Sequence, residues 1–133
     1  MDSEDLPLGG FNKLLGLRLE EASADLVVAT VPVTPDLHQP YGLVHGGVYS
    51  SVVEATASVG AALWLGDRGR TVGIGNQTEF LRAVRDGVLR IVATPIKRGR
   101  STQLWQVDVT DDHGHLAAQG RVRLMNLPGG SFE

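Results

Sequence analysis

At 133 residues and 14.2 kDa the chain has the size of one domain, so 1–133 is read as a single unit. Fifteen acids against twelve bases give a net charge of −3 with no block of like charge, which argues against nucleic acid as the partner. The absence of cysteine removes disulfides, thiolate metal sites and cysteine nucleophiles together.

The N-terminus, Met1-Asp2-Ser3-Glu4-Asp5, is acidic. A secretory signal needs a basic start and an apolar core, and no unbroken apolar run approaches the ~18 residues of a membrane span. A cytoplasmic protein without a membrane partner is expected. Residues 1–7 and 127–133 read as tails. The apolar segment 8–15 predicts a short helix broken at Gly16, and 17–21 and 25–33 read as strands, the second β-branched and closed by Pro32 and Pro35. A loop over 34–44 carries His38-Gln39-Pro40-Tyr41-Gly42.

The one long helical pattern covers 46–65. Val48, Val52, Ala55, Val59 and Leu63 recur at spacings of four and three and form an apolar stripe. The adjoining face holds Gly47, Ser50, Ser51, Glu54, Ser58 and Ala61, nearly all small, and Gly66-Asp67 ends the helix. Four strands follow, over 71–84, 88–97, 102–110 and 115–126, separated by turns at Asp86-Gly87, Arg98-Gly99-Arg100 and Asp111-Asp112-His113-Gly114. Pro95 within a strand predicts an edge or a bulge. One long helix and a mostly antiparallel sheet make an α+β fold.

Several chemistries are missing: there is no G-x-S-x-G elbow, no P-loop, and no dinucleotide fingerprint around Gly73-x-Gly75. His113-x-His115 beside Asp111 and Asp112 has the residue types of a metal site, but hairpin turns are rich in them anyway, and no metal is expected. The informative stretch is Gln39-Pro40-Tyr41-Gly42-Leu43-Val44-His45-Gly46-Gly47. Two glycines opening a long helix leave N–H groups uncovered at its positive end, suited to an anion or a developing oxyanion. A turn that needs glycine for its backbone would look the same. Glu54 is the only charged residue between His45 and Leu65, and its neighbours one turn away are serines too short to screen it.

Glu54 lies eight residues beyond Gly46, about 12 Å along a helix. One carbonyl group cannot easily reach both on the same helix, so a site that uses both combines two copies of the chain across a symmetric dimer interface. Nothing in the spacing forbids a methyl group at position 46. His45 is placed to support the loop or cap the helix. Arg82 and Arg85, with Lys97, Arg98, Arg100, Ser101 and Thr102, make a cationic and hydroxylated patch suited to phosphate; a solvated hairpin end would read alike.

Together these residues resemble the hotdog-fold acyl-CoA thioesterases of the phenylacetate-degradation and 4-hydroxybenzoyl-CoA type, in their glutamate-bearing branch. The resemblance runs from about Phe11 to Asn126. It is most specific at Gly42-Leu43-Val44-His45-Gly46-Gly47-Val48 with an acid nine residues after the histidine, and is supported by Asn76-Gln77-Thr78-Glu79-Phe80-Leu81-Arg82 and Gly99-Arg100-Ser101-Thr102. It implies a long central helix wrapped by an antiparallel sheet of five or six strands, paired edge to edge in dimers and assembled as a homotetramer. It also implies Glu54 as nucleophile or general base, Gly46 of the partner subunit polarising the thioester carbonyl, Gln39 orienting the carbonyl or the water, Ser58 beside the hydrolytic water and His45 in the same catalytic loop. Arg82, Arg100, Ser101 and Thr102 fall near CoA-phosphate positions, although Ala83 stands where proline is common and Arg100 replaces a smaller residue. The implied substrate is an aryl or arylacetyl-CoA, with CoA as part of the substrate and no separate cofactor. Two other functions suit the same fold: hydration of enoyl or hydroxyacyl thioesters, and acyl-CoA binding without catalysis.

Overall fold

The computed structural model describes residues 8–129. Its elements are α1 (Gly9–Leu15), β1 (Arg18–Ala22), β2 (Val27–Pro32), α2 (Gly46–Leu65), β3 (Gly69–Phe80), β4 (Val88–Arg98), β5 (Thr102–Thr110) and β6 (Leu116–Pro128), with short 3₁₀ turns at Pro35–Leu37 and Gly66–Arg68. The strands form one antiparallel sheet in the order β1-β2-β4-β5-β6-β3. This is the hotdog arrangement: α2 lies across the sheet and touches β2, β3, β4, β5 and β6.

Alternation explains the packing. Val27, Ala29 and Val31 of β2, Leu89, Ile91 and Ala93 of β4, Trp105, Val107 and Val109 of β5, and Val122 and Leu124 of β6 are fully or nearly fully buried on one face. They meet Val48, Tyr49, Val52, Val53, Ala57 and Ala61 of α2. The buried face of the helix therefore differs from the predicted stripe. Ala55, Val59 and Leu63 are only half-buried, and Ala61, assigned to the small-residue face, is in the core. Valine and alanine occur on both flanks of α2, so hydrophobicity alone could not select the flank that meets the sheet. Residues 46–68 are also long and apolar enough to cross a bilayer by length and composition (mean hydropathy 1.2), but half of that window is buried in this fold.

Three boundaries depart from expectation for visible reasons. The predicted strand 71–84 stops at Phe80, because the N–H groups of Leu81 and Arg82 both donate to the Ala117 carbonyl (2.8 and 3.2 Å), and Val84 turns away to accept from Val44. The Asp86-Gly87 turn does not close a hairpin: β3 pairs with β6, whereas β4 lies between β2 and β5. Leu127 and Pro128, read as tail, belong to β6 and Gly129 lies in a turn; tail residues 1–7 and 130–133 lie outside the described ones. Pro95 sits at a bulge in β4 just beyond Ala93, the last residue that β2 pairs, so its missing N–H costs no ladder bond on that side.

The sheet has two unlike edges. β1 is five residues long, interrupted by a bulge, and carries Arg18, Glu20 and Glu21. β3 runs for twelve residues, and between Arg70 and Glu79 it has no charged side chain.

Gly60 shows how closely helix and sheet approach. A Cβ there would lie 2.5 Å from Cη2 and 2.6 Å from Cζ3 of Trp105, which is fully buried. The indole cannot retreat, since its Nε1–H donates to the Gln103 side chain at 2.8 Å. Ala is the better helix former, by ~1 kcal/mol, but overpacking costs ~1–3 kcal/mol. Gly60→Ala should therefore lower stability, with thermal unfolding shifted down by several degrees.

Candidate active site

Glu54 is exposed on α2 and lines a cavity of about 690 Å3. The walls come from α1 (Phe11, Asn12), from α2 (Ser50, Ser51, Ala55, Ser58, Val59, Leu63) and from β3 (Thr71, Asn76). The half-buried apolar flank of the helix thus faces this space.

The carboxylate is held from β3. Asn76 Nδ2 donates to the Ser50 carbonyl at 2.9 Å and to Glu54 Oε1 at 3.3 Å. Thr78 Oγ1 donates to Asn76 Oδ1 at 2.7 Å, which fixes the amide with its nitrogen toward the glutamate. Strand alternation puts residues 76 and 78 on one face, so the Asn-x-Thr spacing performs this orientation. A Cβ at Gly73 would stand 3.2 Å from Glu54 Oε2, so the strand passes the acid closely where it bulges between Gly73 and Gly75. Sequence alone gives Asn76 and Gly73 no site role. Their signal was the alternation, which acquires meaning only once β3 is known to run beside α2.

His45 is the N-cap of α2, and its Nδ1 accepts the Gly47 N–H at 2.8 Å. That bond requires an unprotonated Nδ1. The N–H of Gly46, the first helical residue, has no acceptor among the described residues. Gly46 does not line the cavity that holds Glu54. A Cβ at Gly46 would lie 2.4 Å from Phe80 Cε2, so a methyl group there does meet an obstacle, contrary to the expectation from spacing. The Phe80 ring is 5.8 Å from that of Tyr49 and is itself 55% exposed. Tyr49 is buried, and its hydroxyl has no hydrogen-bond partner among the described residues; burial, and then the negative charge of Asp111, push its phenol pKa up.

Gln39 is turned into its own loop. Its side-chain oxygen accepts from the Tyr41 N–H, its N–H donates to the Leu43 carbonyl at 2.7 Å, and it does not line the Glu54 cavity. Ser58 lines that cavity one turn beyond Glu54. Ser51 Oγ donates to the Gly47 carbonyl at 2.7 Å, and Ser51 also borders a second cavity of about 500 Å3 with His38 and His45.

The cationic patch is not one patch. Arg82 follows β3, with Nε 3.6 Å from Asp111 Oδ2, and Arg85 donates to the Tyr41 carbonyl at 3.2 Å. Arg100, Ser101 and Thr102 lie at the turn between β4 and β5, at the other end of the sheet. β4 begins near the first group and ends beside the second, so about 30 Å of strand separates them within one protomer. Burial raises the Asp111 pKa, but hydrogen bonds from the backbone N–H groups of His115 and His113 and the nearby His115 ring lower it more, and the net shift is downward. Among the described residues no group of three or more His, Asp or Glu is placed to hold a metal ion.

One helix thus carries an acid that opens into a cavity and, at its first residue, a Gly46 N–H with no acceptor among the described residues. The pattern of the thioesterase superfamily matches residues 41–118, which include Glu54, Gly46 and Asn76. The chain belongs to the thioesterase superfamily. The thioesterase is 43% identical over 120 residues to a Mycobacterium tuberculosis protein named only at the level of esterase, covering 88% of this chain and 86% of that one. It is 32% identical over 114 residues to the 1,4-dihydroxy-2-naphthoyl-CoA hydrolase of Escherichia coli, covering 86% and 84%. The crystal structure of S. sahachiroi AziG superposes with a TM-score of 0.90 at 44% identity, covering 92% of this chain and 99% of that one. With relatives named as thioesterases and hydrolases, the protein is a thioester hydrolase.

Proposed function

We propose that this thioesterase hydrolyses an aryl or arylacetyl-CoA to the free acid and CoA, with Glu54 as nucleophile or general base and Gly46 of the partner subunit polarising the carbonyl. The observation that carries the reading is the Glu54 carboxylate, open to a cavity and aimed by Asn76 while the Asn76 amide is itself held by Thr78. The half-buried Ala55, Val59 and Leu63 beside Ser50 and Ser58 suit a flat apolar acyl group with polar substituents. The name of the Escherichia coli relative supports the same class.

Chemically, little more is needed. As general base, Glu54 takes a proton from water, the water oxygen adds to the carbonyl carbon, and the oxyanion rests on the Gly46 N–H. Collapse breaks the C–S bond and expels CoA as thiolate, a good leaving group. As nucleophile, Glu54 adds directly, the same bond breaks, and water then cleaves the mixed anhydride. In this reading Ser58, which borders the Glu54 cavity, hydrogen-bonds the water, Gln39 reaches the carbonyl once its amide leaves the loop, and His45 supports the N–H through its cap. The pairing of Glu54 with another copy's Gly46 implies a dimer, and a homotetramer built from two such dimers in the cytoplasm completes the proposal.

The test is release of free CoA from a panel of hydroxybenzoyl, phenylacetyl, dihydroxynaphthoyl and medium-chain thioesters, followed with a thiol-reactive dye. The protein has no cysteine and adds no background. Turnover on one aryl class well above the fatty acyl series is expected. Turnover confined to fatty acyl thioesters would overturn the substrate class, and no turnover on any would overturn the hydrolytic reading.

A further inference from the structure

Among the described residues Gln103 is 1% exposed and, with Thr56, makes up the buried polar set outside the aromatic core. Thr56 bonds back to its own helix, at Val52 O. Gln103 does something different: it joins the core to a surface turn. Trp105 Nε1 donates to Gln103 Oε1 at 2.8 Å. Gln103 Nε2 donates to the Ala61 carbonyl at 3.2 Å and to Asn126 Oδ1 at 2.9 Å. Asn126 Nδ2 donates to the carbonyls of Gly99 and Arg100 at 2.9 and 3.1 Å, and its backbone N–H donates to Ser101 O at 2.8 Å.

The polarity of this chain has one solution. An indole nitrogen can only donate, so the Gln103 oxygen faces it and the Gln103 nitrogen faces Asn126. The Asn126 oxygen is then the acceptor and its nitrogen the donor, and neither amide can flip without setting like groups against each other. The consequence falls on the turn. Three successive carbonyl oxygens, which would repel an anion, are drawn onto Asn126. The N–H groups of Arg100 and Ser101 make no hydrogen bond among the described residues, and the exposed Arg100 side chain has no ion pair there. Beside them lies a cavity of about 350 Å3 bordered by Trp64, Arg68, Arg100 and Asn126.

We propose that Gln103 and Asn126 are positioning residues that hold the 98–101 turn with its carbonyls inward and its N–H groups and Arg100 outward, ready for the phosphates of the CoA moiety. This rests on the reading of the substrate as a CoA thioester. The comparison that tests it is equilibrium binding of CoA and of pantetheine, which lacks the nucleotide and its phosphates, to the wild-type protein and to Asn126→Ala. Asn126 is half-buried, so the variant should fold; an unchanged near-UV signal from Trp105 checks that. The wild type should bind CoA at least about tenfold more tightly than pantetheine, a difference in the range of charge-assisted hydrogen bonds. Asn126→Ala should remove most of that difference and leave pantetheine binding unchanged. Equal affinity for the two ligands in the wild type would overturn the proposal. So would CoA binding that survives the substitution, or an equal loss for both ligands, which marks general distortion. Hydrolysis plays no part here: CoA binding in the expected pattern by a protein that cleaves no thioester would refute the catalytic reading and leave this one standing.

Discussion

Glu54→Gln is expected to lower kcat on a responsive acyl-CoA by a factor of about 10²–10⁴, the span that a positioned proton-transfer group contributes. KM should stay within about threefold, as expected for an interaction made in the transition state alone. The substitution is clean because the amide keeps the size of the side chain and an oxygen for Asn76 Nδ2, now 3.3 Å from Oε1. Only the charge and the basicity are lost. Steady-state kinetics against the best thioester of the panel provide the check, and turnover near the wild-type rate would remove Glu54 from the chemistry. Asn76→Ala separates aim from chemistry: it leaves the carboxylate in place but untethered, and its fall in kcat should be smaller than that of Glu54→Gln.

The second large effect comes from proline at position 46. Gly46 opens α2 after an extended His45, with φ −64° and ψ 137° at that cap. Proline is well accepted at the first helical position and demands an extended residue before it, so the helix should survive. The single group deleted is the N–H, and loss of one such donor typically costs 10²–10³ in kcat. The pyrrolidine also meets Phe80, whose ring lies 2.4 Å from a Cβ at this site, so Gly46→Ala, which has the same Cβ but keeps the N–H, is the necessary control and should lose less. Mixing then tests the origin of the two groups. If each site takes its acid from one copy and its N–H from the other, Glu54→Ala and Gly46→Pro chains are separately inactive. Unfolded together and refolded, they should recover about a quarter of wild-type activity, because half the random pairs hold one intact site. No recovery from well-folded mixtures would place both groups within one protomer.

Much of this was legible before any coordinates. The long helix, including its last residue at Leu65, followed from glycines at both ends and a run of mostly small and apolar residues whose one charge is Glu54. Glu54 stood out because nothing near it shared its charge. Less visible was which flank of α2 would be buried. Val48 and Val52 lie in the core as read, but Ala55, Val59 and Leu63 are residues of the same kind that line the cavity instead. The strand order was also hidden, since β3 pairs with the chain's last strand and not with its successor, and local turn chemistry is silent on that. For the same reason Arg82 and Arg100 looked like one patch: both adjoin glycine turns, and only the direction of β4 shows them at opposite ends of the sheet.

The unlike edges of the sheet bear on how association can end. An unpaired strand is a template for another, and chains that present two open edges can add copies without limit. Here the charges, brevity and bulge of β1 discourage pairing on one side, while the uncharged stretch of β3 admits it on the other. Two copies joined through β3 would form a continuous sheet whose outer margins are both β1. Such a sheet has nowhere left to grow. If copies pair in this way, aggregation pressure falls on the isolated protomer, during folding or at high dilution, and substitutions that weaken β3 pairing should show first as insolubility.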